Sequence, residues 1–321
     1  MFGNHDEPPP GSGRDRRPLL LVLRALQLGD LLVAVPALHA LRRAYPDHLL
    51  LYAGPAWLRD AVALVGGYGL LPAAGLSEPL AVEQGSVDVA VNLHGRGPES
   101  QTLIESVGAR QVISHASENW DGPDWVEDIH ERQRWTRLLQ WHGIAANPDD
   151  VQLKPPAVHT QWPDATVVHV GAAFASRFWP EGRFAEVAGR LADSGHRVVV
   201  TGSGAERARS LAVAAQAGLP EESVLAGQLS LGGLIALVAD ARLVVSADTG
   251  AAHLATAYRR PSVVLFGPAR PEQWHPPPGQ HIVLTKAELR RGDPFAGEPD
   301  PALLGVQAQE VLDAVRVLGL L

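Results

Sequence analysis

The sequence predicts an α/β protein built from two doubly wound, parallel-sheet domains facing a shared crevice. Short apolar runs rich in valine and leucine alternate with helical patterns from one end to the other, which implies parallel sheets with helices on both faces. Several of these runs, such as Val198-Val199-Val200, are apolar without a period of two, as expected of strands covered on both sides. Near 154–163, two prolines, a polar run and a third proline interrupt the pattern. That break leaves about 150 residues on either side, an ordinary domain size.

Residues 1–17 are Pro/Gly-rich and charged, with no apolar signal-peptide core, and are expected to form a flexible extension. In a first domain spanning 18–158, apolar runs predict strands at 19–24, 48–53, 87–93 and 111–114. Helical patterns fall between them at 36–44, the end of an apolar run that begins at 31, and at 56–65, 98–107 and 130–141. The second domain, 159–321, has predicted strands at 166–170, 197–201, 242–246, 262–266 and 281–284. Its helices are expected at 181–194, 205–217, 231–239 and 251–258. A last helix at 306–318 follows a Pro/Gly/charged loop at 290–301 and is able to pack on either domain.

Composition removes several classes of function. A net charge of −8, with 27 basic against 35 acidic residues, argues against a nucleic-acid partner held by a general basic surface. The absence of cysteine excludes disulfides, thiolate catalysis and cysteine-ligated metal, and fits a cytosolic enzyme. No apolar stretch is long enough to span a bilayer.

Chemistry concentrates at strand-to-helix turns, where an open parallel sheet presents its ligand groups. The first turn reads Leu23-Arg24-Ala25-Leu26-Gln27-Leu28-Gly29-Asp30. Gly29 permits close backbone approach, and Asp30 stands near a helix N-terminus, either as a cap or as a reacting carboxylate. The Gly-x-Gly-x-x-Gly spacing is absent, which disfavours a nicotinamide enzyme.

A second cluster, Ser246-Ala247-Asp248-Thr249-Gly250-Ala251-Ala252-His253, opens a helix. The N–H groups of Thr249, Gly250 and Ala251 there suit a phosphate. Asp248 would repel an anion, so it is expected to meet a hydroxyl, an amide or a cation. His253, one turn into the helix, either donates to a phosphate oxygen or is structural.

Arg177, in Ala175-Ser176-Arg177-Phe178-Trp179-Pro180, is either a cation for a diphosphate or a surface arginine beside a packed tryptophan. In Thr201-Gly202-Ser203-Gly204-Ala205-Glu206, Gly202 permits close approach. Glu206 either accepts from ribose hydroxyls or complements a helix dipole. The chain has no Asp-x-Asp metal clamp, P-loop or Gly-x-Ser-x-Gly elbow. One arginine, several helix N-termini and two aspartates suit a leaving diphosphate held without metal while a carboxylate takes a proton.

Four blocks make the chain resemble glycosyltransferase family 9, the ADP-heptose:lipopolysaccharide heptosyltransferase-like family with the GT-B fold. They are Arg24–Asp30 with Pro36-Ala37-Leu38, then Arg177-Phe178-Trp179-Pro180, then Ser246–His253 with Leu254, and finally Phe266-Gly267-Pro268. Their order is the family's, and the likeness runs over roughly 19–276. The resemblance implies an inverting, metal-independent transferase with no cofactor beyond its nucleotide-sugar donor. It implies Asp30 as general base and Arg177, where the family usually has lysine, on donor phosphate. Asp248, Thr249, Gly250, Ala251 and His253 would hold the diphosphate, with Gly202 and Glu206 beside the nucleotide.

Gly29, and His94 and Arg96 within Asn92-Leu93-His94-Gly95-Arg96-Gly97, fall on the acceptor side. The 115–128 loop with Trp120 and Trp125 matches no family pattern. The expected reaction moves a sugar, most simply a heptose from ADP-heptose, to a hydroxyl on a glycan, lipid-linked sugar or secondary metabolite. The expected protein is a cytoplasmic monomer that touches a membrane peripherally only if its acceptor is a lipid. Two other readings keep the fold: a nucleotide-sugar epimerase, and a non-catalytic nucleotide-sugar-binding protein.

Overall fold

A computed structural model describes residues 17–321; the expected extension lies, apart from Arg17, outside them. The first half runs β1 (Leu19–Leu23), α1 (Leu28–Ala44), β2 (Leu49–Gly54), α2 (Arg59–Val65), β3 (Tyr68–Pro72), β4 (Val87–Asn92), α3 (Pro98–Ser106), β5 (Gln111–Ile113) and α4 (Glu131–Trp141). The second half runs β6 (Thr166–His169), α5 (Glu181–Asp193), β7 (Val198–Thr201), α6 (Arg207–Gln216), α7 (Leu231–Ala239), β8 (Leu243–Ala247), α8 (Gly250–Ala257), β9 (Ser262–Leu265), α9 (Pro271–Trp274), β10 (His281–Leu284), α10 (Pro301–Leu304) and α11 (Ala308–Val317).

Each half contains a five-stranded sheet, ordered β3-β2-β1-β4-β5 and β10-β9-β8-β6-β7, and all the pairings within them are parallel. Burial explains the unalternating runs: β7 and β8 are buried along their whole length, as a strand sandwiched between helix layers must be. The closing helix packs on the second sheet, where Val311, Leu312 and Val315 join the core of α5, β9 and β10.

The first sheet has one strand that was not expected, β3. Its sequence, Tyr-Gly-Leu-Leu-Pro, carries a glycine and a proline and buries mainly Tyr68, so it lacks the apolar density of its neighbours. It is an edge strand, where such residues are tolerated. Helix α1 also begins earlier than the apolar run suggested. Its middle, from Leu31 to Leu41, is buried almost throughout, so it is a core helix rather than an amphipathic one.

The halves are joined by apolar packing as well as by the linker. One cluster combines Leu31, Leu38 and Leu58 from the first half with Leu237, Leu254 and Ala255 from the second. Two glycines set how closely the halves approach. A Cβ on Gly250 would lie 2.7 Å from Leu28 Cδ2, and one on Gly29 would lie 3.2 Å from His253 Cδ2. The first turns of α1 and α8 therefore meet through absent side chains.

Candidate active site

In a doubly wound sheet, ligand loops diverge at the point where strand order reverses. The first sheet reverses between β1 and β4, and the second between β6 and β8. The expected residues follow from that topology. The β1 turn carries Gly29 and Asp30, and the β4 loop carries His94 and Arg96. Across the interface the β6 loop carries Arg177, and the β8 turn carries Asp248, Thr249, Gly250, Ala251 and His253. The contact of Gly29 with His253 brings the β1 and β8 turns together.

Asp30 occupies the first turn of α1, and its side chain is 25% exposed. Its Oδ2 accepts from the Gln27 N–H at 3.2 Å, so the cap reading has a real contact. Its Oδ1 faces the guanidinium of Arg24, with Nη2 3.4 Å away. Arg24 is 1% exposed. It donates through Nε to the Asp30 carbonyl at 2.6 Å and through Nη1 to the Leu93 carbonyl. A second carboxylate, Glu131 at the start of α4, lies 3.9 Å from Arg24 Nη2.

Buried Asn92 shapes the β4 loop by accepting from the His94 N–H at 3.0 Å. His94 Nδ1 in turn accepts from the Ala25 N–H at 3.2 Å, which puts the proton of the neutral ring on Nε2. Burial, reinforced by the Arg24 charge, pushes the His94 pKa down. Arg96 lies outside this group. It is 62% exposed, near Glu127 at 3.7 Å and over the Trp125 ring at 5.8 Å.

In the second half, Thr249 precedes α8 with extended backbone angles, leaving the Gly250 and Ala251 amides in a first turn that has no intrahelical acceptors. Its hydroxyl is tied to Ser246 Oγ at 2.9 Å. Buried Asp248 faces His253, whose Nε2 lies 3.5 Å from Oδ1. Arg177 ends a short 3-10 turn, and its Nε is buried with no partner among the described residues. An unpaired buried guanidinium nitrogen is costly unless a ligand completes it.

Glu206 accepts from two backbone amides, Ala172 N–H at 2.7 Å and Ser203 N–H at 2.6 Å, beside Gly202. These contacts fasten the β6 and β7 loops together.

A contact set that the sequence did not signal links the halves at the same end of the sheets. Asp128 pairs with Arg270 at 3.2 Å, and the Glu127 carbonyl accepts from Gln273 at 3.3 Å. Buried His130 donates through Nε2 to the His275 carbonyl at 2.9 Å. Burial, then the Arg132 charge, lowers the His130 pKa to about 4, so the ring is neutral and fits that donor role. Trp274 of α9 stands edge-on to His253 at 6.2 Å. A cavity of about 680 Å³ lies away from these groups, among α2, the linker and the start of α7, and none of the candidate residues lines it.

Sequence reading gave Arg24 no role, and it set His130-Glu131 only loosely beside the family's acceptor-domain patterns. For Arg24 a signal was available, because a cation at the end of an apolar strand needs a buried anion.

Two doubly wound sheets with switch-point loops converging on one interface define a GT-B protein. The sequence model of glycosyltransferase family 9 (heptosyltransferase) matches residues 132–293, and the chain belongs to that family. It is 30% identical over 158 residues to lipopolysaccharide heptosyltransferase 2 of Escherichia coli K12, a match covering 46% of this chain and 44% of that one. The alignment thus spans less than half of that relative. The solved structure of E. coli ADP-heptose lipopolysaccharide heptosyltransferase II superposes with a TM-score of 0.70 at 20% identity, covering 94% of this chain and 98% of that one. A family 9 glycosyltransferase from Veillonella parvula gives 0.74 at 18%, covering 94% and 97%.

Proposed function

We propose that the protein is an inverting, metal-independent glycosyltransferase that moves a sugar from a nucleoside diphosphate donor to an acceptor hydroxyl. ADP-heptose is the donor we infer, because the family's relatives are heptosyltransferases. The acceptor is a glycan, a lipid-linked sugar or a secondary metabolite. The observation that supports this reading is the meeting of the α1 and α8 turns, Gly250 against Leu28 and Gly29 against His253, which brings the turn that carries Asp30 to the turn that carries the proposed anion cradle.

In this mechanism the donor diphosphate rests on the Gly250 and Ala251 amides, with Arg177 beside it. Asp30 takes the proton of the acceptor hydroxyl as that oxygen forms its bond to the anomeric carbon. The bond from that carbon to the diphosphate oxygen breaks on the opposite face, and the leaving charge is stabilised by the amides and the guanidinium. In this reading His94, neutral with its proton on Nε2, donates to the acceptor. Pre-aimed donors of this kind need no metal clamp to hold a leaving anion.

Titration calorimetry with ADP, UDP, GDP and TDP tests the donor assignment. Tightest binding of ADP supports it, and a preference for another base redirects the donor. Incubation with ADP-heptose and candidate acceptors, with release of ADP as readout, tests the transfer itself.

A further inference from the structure

We propose that Arg24 is a positioning residue for the transfer, aiming the Asp30 carboxylate, and that Glu131 in turn fixes Arg24. The inference rests on the reading of Asp30 as base. The Arg24 guanidinium touches α1, the β4 loop and α4. Nε donates to the Asp30 carbonyl at 2.6 Å, and Nη2 stands 3.4 Å from Oδ1 of the same residue. Nε and Nη2, the two nitrogens of one guanidinium edge, thus hold the backbone and the side chain of a single aspartate.

Nη1 donates to the Leu93 carbonyl in the β4 loop, just before His94. The face of the guanidinium lies 4.7 Å from the Trp135 ring of α4. Glu131 approaches Nη2 at 3.9 Å and is itself held by Arg134 Nε at 2.8 Å. With Oδ2 held by the Gln27 amide, both oxygens of Asp30 have a fixed neighbour, which sets the plane of the carboxylate.

The geometry calls for arginine specifically. A lysine ammonium is a point charge on a flexible stem and cannot serve carbonyl and carboxylate together in a fixed fork. Misplacement of a reacting group by an ångström costs about 10²-fold in rate. Arg24→Lys is therefore expected to lose about that factor in kcat, with donor KM and ADP affinity held, since the donor cradle lies on the other half. Glu131→Gln keeps an oxygen for Arg134 but removes the charge that draws Arg24, so a smaller loss in the same direction is expected.

The deciding experiment is a double-mutant cycle among Asp30→Asn, Arg24→Lys and Glu131→Gln, reading kcat, KM and ADP affinity on the full chain. If Arg24 acts through Asp30, adding Arg24→Lys to Asp30→Asn costs almost nothing further. Losses that multiply in the double variant overturn the proposal, as does an Arg24→Lys enzyme with parental kcat or with ADP affinity lost in step. Should Arg24→Lys fail to fold, the same cycle with Glu131→Gln decides: no loss from Glu131→Gln, or a loss that multiplies with Asp30→Asn, overturns it. An active Asp30→Asn enzyme instead removes the reading of Asp30 as base, a separate failure.

Discussion

At the scale of single residues, the site divides into groups satisfied by the protein and groups left for a ligand. Glu206 and Arg24 have internal partners, backbone amides and Asp30 respectively, and Asp248 faces His253 at 3.5 Å. Arg177 Nε has none among the described residues, and a buried guanidinium nitrogen without an acceptor is an expensive feature to retain for structure alone. Arg177→Ala is expected to weaken ADP binding by about 10–10²-fold, the worth of a hydrogen bond to a charged group, while leaving the melting temperature near the parent's. Calorimetry and a thermal melt on one preparation check both halves of that statement. Asp30→Asn should behave in the opposite way, keeping ADP affinity while kcat falls by about 10²–10⁴-fold, as steady-state rates would report. How far each residue was legible followed its partners. Asp30 and the Thr249–Ala251 turn announce themselves because their neighbours are adjacent in sequence. Arg24 and Glu131 meet across 107 positions of chain, a separation that local patterns do not encode.

At the scale of elements, strands buried on both faces were easy to read, because Val-rich runs such as β7 have no competing interpretation. β3 was not, since a short edge strand with glycine and proline differs little from a loop. The short α9 escaped for a related reason: four residues following Pro-Ala-Arg carry no periodicity. Yet α9 and its flanking residues Arg270 and His275 carry polar contacts between the halves. Replacing His130 with alanine leaves the His275 carbonyl only the longer contact from Arg132 Nη2, at 3.4 Å, which should cost about 1 kcal/mol of stability and lower kcat/KM as the halves separate more readily. Denaturant titration and kinetics measure the two effects. Helices α1 and α8 meet through glycine, and Gly250→Val would force a branched side chain into Leu28, where even a Cβ lies 2.7 Å away. Over-packing of that kind typically costs about 1–3 kcal/mol, and here it would also part the base from the cradle, so both stability and turnover are expected to fall.

At the scale of the molecule, the two sheets share one apolar cluster, so the approach of the halves is a property of the core as well as of surface contacts. That continuity was invisible to sequence reading, which saw two domains and a proline-rich break between them. Acid should expose the arrangement. His130, His115 and His169 each have their pKa pushed down to about 4, with burial the largest cause in every case. Unfolded chains bind those protons near the ordinary value of 6.5, so the unfolded state takes up more protons below it. Stability from these rings is therefore complete above pH 6.5 and lost as pH falls towards 4. Thermal melts across that range should show a steadily falling midpoint, and the fall should be shallower in a His130→Gln variant.

The meeting of a carboxylate turn from one half with an anion cradle from the other is tested most directly by a crystal structure of the protein with ADP. The expected map places the diphosphate oxygens within hydrogen-bonding distance of the Gly250 and Ala251 amides, with the Arg177 guanidinium against them and the Asp30 carboxylate facing the terminal phosphate. A diphosphate seated elsewhere, such as the cavity between α2 and α7, or an Asp30 turned away from the bound nucleotide, would contradict it.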